Sequence, residues 1–197
     1  KSSDLIEKVE SEEDFSMTAF EKGLGNWQST FDSKFGGNNR APKFPIPNNY
    51  EFLLNYYFHS GDQSIKDHLI LTLEKIAYGG IYDQVGGGFA RYSTDMQWKV
   101  PHFEKMLYDN AQLLSLYSKA YRMNPDRLYE QVVRETVHFL AEELTAENGA
   151  FYSALDADSE GKEGKFYIWT KEELQEILGN DFAIAEAYYN INSYGFW

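Results

Sequence analysis

Cysteine is missing altogether from the 197 residues. Disulfide scaffolding, thiol catalysis and Cys-ligated zinc are thereby excluded. No run of 18 apolar residues occurs, so no segment reads as a membrane-spanning helix. The opening stretch, KSSDLIEKVESEED, has no apolar h-region and does not read as a secretory leader. Basic residues are scarce: 18 Lys and Arg stand against 31 Asp and Glu, for a net charge of −13. Such a chain offers no basic face, so neither nucleic acid nor an anionic membrane is expected as a partner. A reducing compartment, the cytoplasm, fits the lack of cysteine.

Aromatic side chains are abundant instead, at 17%, within a hydrophobic share of 43%. That composition excludes disorder, and the length suits one domain with a substantial core. Aromatic rings interleaved with polar residues suit sugars or other ring-shaped ligands. The alternative is that Tyr and Phe simply fill helix interfaces.

Residues 1–12 read as a polar linker or frayed end. Phe20, Leu24, Trp27 and Phe31 then mark one face of a helix from about Asp14 to Phe31. A Gly- and Pro-rich loop, FGGNNRAPKFPIP, precedes a second helix, which Asn48 opens with Glu51 three residues on. That helix is apolar nearly all round and is expected in the interior. Asp62 caps a third helix, with Ile65, Leu69, Leu73 and Ile76 on one face, and Gly79-Gly80 ends it. The stripe Phe103, Met106, Leu107, Leu113, Leu114, Tyr117, Tyr121 predicts a second interior helix, broken by Pro125 and followed by a one-faced helix to about Leu144. Residues 149–169 read as a hairpin around a charged turn. Thr170 with Glu173 forms a capping box for a helix ending at Gly179, and Asp181 starts a shorter one. Inner and outer helices alternate with a repeat of about 50–60 residues, which suggests helical hairpins in a ring or stack. A closed barrel needs more chain, so a fragment is expected, as is suggested by the apolar ending Tyr194-Gly195-Phe196-Trp197.

The stretch richest in chemistry runs from Gly79 to Gln112. Its glycines permit close backbone approach or positive φ, and its Arg, Tyr, Trp and His supply hydrogen bonds and stacking surface. His102 follows Pro101 at the expected start of an interior helix, where backbone N–H groups favour the neutral imidazole that acts as a base. Asp109 lies two turns further on the same face. The alternative is a packed, hydrogen-bonded core histidine. Arg91 and Tyr92 follow the triple glycine, where Arg91 either forks onto a ligand anion or pairs with Asp83 or Asp95. Asn110 falls inside the apolar stripe and must be satisfied, by bracing a loop backbone or by touching a ligand. Gly86–Gly88 is not a phosphate loop, since no Gly-Lys-Ser/Thr follows. Asp156, Asp158, Glu160 and Gly161 mimic the start of a calcium loop, but Tyr167 stands where a bidentate Glu is required. No metal and no cofactor are expected.

Three motifs carry a resemblance: GGIYDQVGGGFARYSTDMQWKVPHFEKMLYDNAQL, APKFP at Ala41–Pro45, and FYSALDADSEGKEGKFYIWT. Together they resemble the thioredoxin-domain proteins related to spermatogenesis-associated protein 20, over essentially the whole chain. The resemblance implies an all-α fold, a partial α/α toroid like that of N-acylglucosamine 2-epimerases and six-hairpin glycosidases, with a small β-hairpin excursion near residues 149–169. Residues 13–197 would be its N-terminal part. The absence of any Cys-x-x-Cys fits a chain lacking the family's thioredoxin-like domain, the expected partner in the full-length protein. Relatives of the fold imply a sugar or other polyhydroxyl ligand and histidine acid/base chemistry, a role that falls on His102. Asp109 or Asp83 is its expected partner, with Arg91, Tyr92, Trp98 and Lys43 lining the pocket. The function expected is epimerase-, isomerase- or glycosidase-like, the alternative being a non-catalytic scaffold for the thioredoxin-like domain.

Overall fold

Helical hairpins carry the chain in a computed structural model that describes residues 17–195. The expected polar segment 1–12 and the final two residues lie outside the described residues. The chain divides into two compact units, one ending at Phe31 and the other starting at Asp32. The first contains α1, Met17–Gln28, which stops short of the Phe31 end that the stripe suggests, with the Trp27 and Phe31 rings edge to face at 5.6 Å.

In the second unit, α2 spans Pro47–Ser60 and α3 Gln63–Ala77. Pro47 rather than Asn48 opens α2, and no side chain caps it. Proline suits that place because its ring presets φ and its missing N–H would have had no partner. Gly61 stops the helix in the left-handed conformation, and Asp62 caps α3 by accepting from the Ser64 N–H. The second hairpin joins α4, Leu107–Met123, to α5, Arg127–Glu143. Asp126 caps α5 through the Leu128 N–H. The Thr170–Glu173 capping box is present at the start of α6, Lys171–Leu178, and a 3₁₀ turn leads into α7, Phe182–Tyr189.

The core lies between the hairpins. Ile65, Leu69, Leu73 and Ile76 of α3 are fully buried, as are Leu113, Leu116 and Tyr117 of α4 and Tyr129 and Val132 of α5. The Tyr117 hydroxyl donates to the Leu73 carbonyl at 2.7 Å, tying α4 to α3. α2 is less enclosed than its composition suggests, since Phe52 and Phe58 are exposed among the described residues.

Strand structure is sparse. β1, Lys105–Met106, pairs antiparallel with β2, Ala154–Leu155, while β3, Asp158–Ser159, pairs with β4, Lys162–Glu163. The hairpin expected over 149–169 is therefore confined to β3–β4, because the segment before it bonds to β1 instead. β1 also displaces the expected start of α4. The Phe103–Met106 spacing mimics a helix, yet these backbone groups serve a turn and a ladder, and α4 begins only at Leu107.

Asn110 fixes the glycine loop to α4. Fully buried, it accepts from the Phe89 N–H at 2.7 Å and donates to the carbonyls of Phe89 and Met106. It thus braces a loop backbone. Gly88 beside it has φ +77, and a Cβ there would lie 2.4 Å from the Phe139 ring. Asn110→Ala leaves both Phe89 backbone groups unpaired in the core. Equilibrium denaturation should show a loss of about 2–4 kcal/mol with an unchanged m-value.

Candidate functional site

Three short extended pieces lie side by side where the chain enters α2 and α4. Lys43 pairs with Ser93 through reciprocal backbone bonds of 2.8 and 2.9 Å, and Ser93 pairs in turn with Pro101. Successive side chains on extended backbone point to opposite faces. Lys43, Ser93 and Pro101 therefore share one face, and their neighbours Phe44, Tyr92 and His102 the other. On that second face the three rings stack in a row. Phe44 and Tyr92 are 4.6 Å apart, and Tyr92 and His102 are 4.8 Å apart. Tyr92 sits in the middle, with both ring faces covered, so only its edge and hydroxyl are left for a ligand. Phe44 is 42% exposed and the His102 side chain 35%.

The opposite face is interior. Lys43 is 2% exposed, donates to Asp32 at 2.6 Å and to the Gly36 carbonyl at 2.7 Å, and lies over the Trp98 ring. Burial alone would raise the Asp32 carboxyl, but the Lys43 bond and two backbone donors hold it below its ordinary value. Trp98 is fully buried and donates its indole N–H to the Phe35 carbonyl at 2.8 Å. Lys43 and Trp98 were expected to line a pocket. Their partners place both in the interior instead. Asp95 pins the same loop by accepting from the Ser93 hydroxyl and from the backbone N–H groups of Gln97, Lys99 and Val100.

Beyond the ladder the chain turns sharply. Phe103 has φ +59, and the Glu104 N–H donates back to the His102 carbonyl at 2.7 Å. His102 is thus on extended backbone before a tight turn rather than on a helix, and the helix N-terminus expected to keep it neutral is absent. The turn brings Glu104 to Arg91, with a backbone bond of 2.8 Å and a side-chain contact of 3.4 Å. Arg91 is therefore paired with Glu104, not with Asp83 or Asp95. Asp109, in the first turn of α4, has one carboxylate oxygen buried without a partner. Burial lifts it to about 6, Arg91 opposes the rise and Glu104 adds to it.

Asp83 belongs elsewhere. Its carboxylate takes the buried Lys105 ammonium at 2.8 Å and the N–H groups of Val85 and Gly86. Burial would raise it, but Lys105 and those donors bring it below the ordinary value. It closes the glycine loop and is not the partner of His102. That position falls to Glu163, whose carboxylate lies 3.7 Å from His102 Nε2. The sequence reads the stretch around it as a charged turn, and no local spacing marks Glu163, because the contact depends on how β3–β4 folds back. Asp156 is engaged by the Asp158 N–H at 3.0 Å. Among the described residues no group of three or more His, Asp or Glu is placed to hold a metal ion. A shallow groove on α5, lined by Arg127, Glu130, Gln131, Arg134 and Glu135, contains none of the expected site residues.

No family model matches the chain. Human spermatogenesis-associated protein 20 is 46% identical over 158 residues, 75% of this chain and 20% of the relative. The mouse protein of the same name is 43% identical over the same span. An uncharacterised protein of Caenorhabditis elegans is 38% identical over 178 residues, 84% of this chain and 24% of the relative. The chain thus spans about a fifth of the length of these curated relatives. Among solved structures, a sugar epimerase from a ruminal bacterium is similar with a TM-score of 0.60 at 17% identity, covering 84% of this chain and 50% of the epimerase. That likeness is one of fold, consistent with an α/α toroid. No helix among the described residues is long and apolar enough to cross a membrane.

The raised Asp109 carboxyl has a measurable sign. Its folded value, about 6, exceeds the ordinary 3.8, so the folded state holds more protons between these values. Its contribution to stability is complete at low pH and is lost as pH rises through the upper value. The melting temperature of the wild type minus that of Asp109→Asn should therefore fall from about pH 4 to about pH 7. A difference that stays level or climbs would show that the carboxyl is not raised.

Proposed function

Because the chain is homologous to spermatogenesis-associated protein 20 over three quarters of its length and shares its fold with a sugar epimerase, we propose that it binds a sugar or sugar derivative at the entrances to α2 and α4. Residues 13–197 form the N-terminal part of an α/α toroid in this proposal, and a thioredoxin-like domain accompanies it in the full-length protein. The observation that carries the proposal is the row Phe44, Tyr92, His102. The exposed ring of Phe44, at one end of the row, packs against the apolar face of a sugar ring, while polar groups along the row fix its orientation. The Tyr92 hydroxyl, Arg91 and Glu104 supply those polar groups. His102 and Asp109 handle protons, Asp109 because a carboxyl near 6 exchanges a proton near neutrality. The reaction class this supports is proton transfer on a polyhydroxyl substrate, epimerase-, isomerase- or glycosidase-like.

Calorimetric titration of the full-length protein with glucose, mannose, N-acetylglucosamine and N-acetylmannosamine tests this. At least one should bind, and should raise the melting temperature because a ligand of the native state stabilises it. His102→Ala and Phe44→Ala should each weaken that binding by roughly tenfold or more. If no sugar binds, or if both variants bind as the wild type does, the carbohydrate proposal fails and a non-catalytic module serving the thioredoxin-like domain takes its place.

A further inference from the structure

The β3–β4 hairpin has a built seat on the His102 loop. Its two-residue turn, Glu160-Gly161, has φ 54 and 73, the mirror-image turn that matches strand twist. Gly164 follows β4 with φ +71, and a Cβ there would lie 2.4 Å from the Phe103 ring. Only glycine lets the hairpin settle so closely on the residue next to His102. Phe103 also stacks on Tyr167 at 5.7 Å, and the Gly164 N–H donates to the Ala157 carbonyl at 2.8 Å. The consequence is the position of Glu163, 3.7 Å from His102 Nε2, with both side chains partly exposed.

The two imidazole nitrogens are not equivalent. Nδ1 is buried without a partner, while Nε2 faces the carboxylate. A proton on Nδ1 would be a buried donor with no acceptor, and the negative charge beside Nε2 attracts the proton there. The neutral ring therefore carries its proton on Nε2 and its lone pair on the buried nitrogen. At the ligand face His102 donates. The acceptor is Glu163. A separation of 3.7 Å is too long for a direct hydrogen bond but lets one oxygen approach both atoms at about 2.8 Å.

We infer that Glu163 and His102 clamp a single hydroxyl of an uncharged polyol, which accepts from Nε2–H and donates to the Glu163 carboxylate. This deepens the carbohydrate proposal and rests on it for the ligand class. A hydroxyl is both donor and acceptor, whereas an ionised phosphate or carboxylate offers no proton and meets like charge. Arg91 is already paired with Glu104, the buried Lys105 with Asp83, Lys43 with Asp32, and Lys165 with Glu160. The Glu163 carboxylate itself adds negative charge. The site selects neutral sugars over sugar phosphates and acidic sugars.

Two measurements on the full-length protein test this. Imidazole ¹⁵N NMR should show His102 in the Nε2–H form, with its Nε2 resonance shifting in Glu163→Ala. Glu163 lies on an exposed hairpin, so an unchanged melting temperature will confirm that the variant folds. A wild type in the Nδ1–H form, or a His102 spectrum indifferent to the substitution, overturns the inference without any sugar. Titration with N-acetylglucosamine and its 6-phosphate should give at least tenfold tighter binding of the neutral sugar. Glu163→Gln should weaken that binding roughly tenfold, and Glu163→Lys should narrow or reverse the preference. Equal or tighter binding of the phosphate by the wild type overturns the clamp. The expected NMR result with no binding of N-acetylglucosamine, of its 6-phosphate or of the other three sugars overturns the clamp and the carbohydrate proposal together, and leaves the His102–Glu163 pairing standing.

Discussion

A lysine buried against an aspartate determines which way the candidate site faces. Lys43 cannot turn to solvent without abandoning Asp32 and the Gly36 carbonyl. Removing one partner of a buried ion pair costs on the order of 3–5 kcal/mol, a sizeable fraction of a domain's stability. With Lys43 committed downward, alternation along extended backbone sends Phe44 upward. The pairing through Ser93 and Pro101 then does the same for Tyr92 and His102. A slip of one residue would bury Phe44 and expose the lysine. The register of these two isolated bridges is held by this pair and by the Asp95 grip on the 95–100 turn, rather than by a long ladder of hydrogen bonds.

Two aromatic residues bracket the histidine in strained conformations. Trp98 has φ 64 and Phe103 φ 59, a region that bulky side chains rarely enter. Each costs of order 1–3 kcal/mol and persists only where surroundings over-determine it. Trp98 is held by its indole bond to Phe35 and by full burial, Phe103 by Tyr167 and the close approach of Gly164. Between these anchors the chain has little freedom, so His102 is presented in one orientation. Strain of this kind concentrates at functional sites, and here it flanks the one imidazole of the ring ladder.

The helices were legible because their signals are local. Apolar stripes, Asp62, the Thr170–Glu173 box and Pro125 act within a turn or two, and even the bracing role of Asn110 followed from a polar residue on an apolar stripe. The site was legible only in part. His102, Tyr92 and Arg91 could be picked out by residue type, but Lys43 and Trp98 could not be separated from them, because single-residue bridges leave no periodic pattern to reveal inside from outside. Phe103 and Met106 imitate helical spacing while serving a turn and β1. Glu163 could not be found at all, since its meeting with His102 depends on a glycine fitting against a phenylalanine far away in the chain.

Desolvation, more than net charge, sets the chemistry of this surface. Asp109 stands in the first turn of α4, where the helix field favours a carboxylate, yet it rises to about 6. A helix terminus contributes only about 0.3–1 kcal/mol at such a position, and burial outweighs it. Asp83 is at least as enclosed and moves the other way, because Lys105 and two backbone donors reach it. The difference between the two aspartates is therefore one of partners. An enclosed carboxyl that lacks a donor keeps its proton near neutrality and can exchange it, whereas one that has a lysine is locked as an anion and serves structure. The same rule separates the lysines of the scaffold, each held by a carboxylate, from Asp109, the enclosed carboxyl that no lysine reaches.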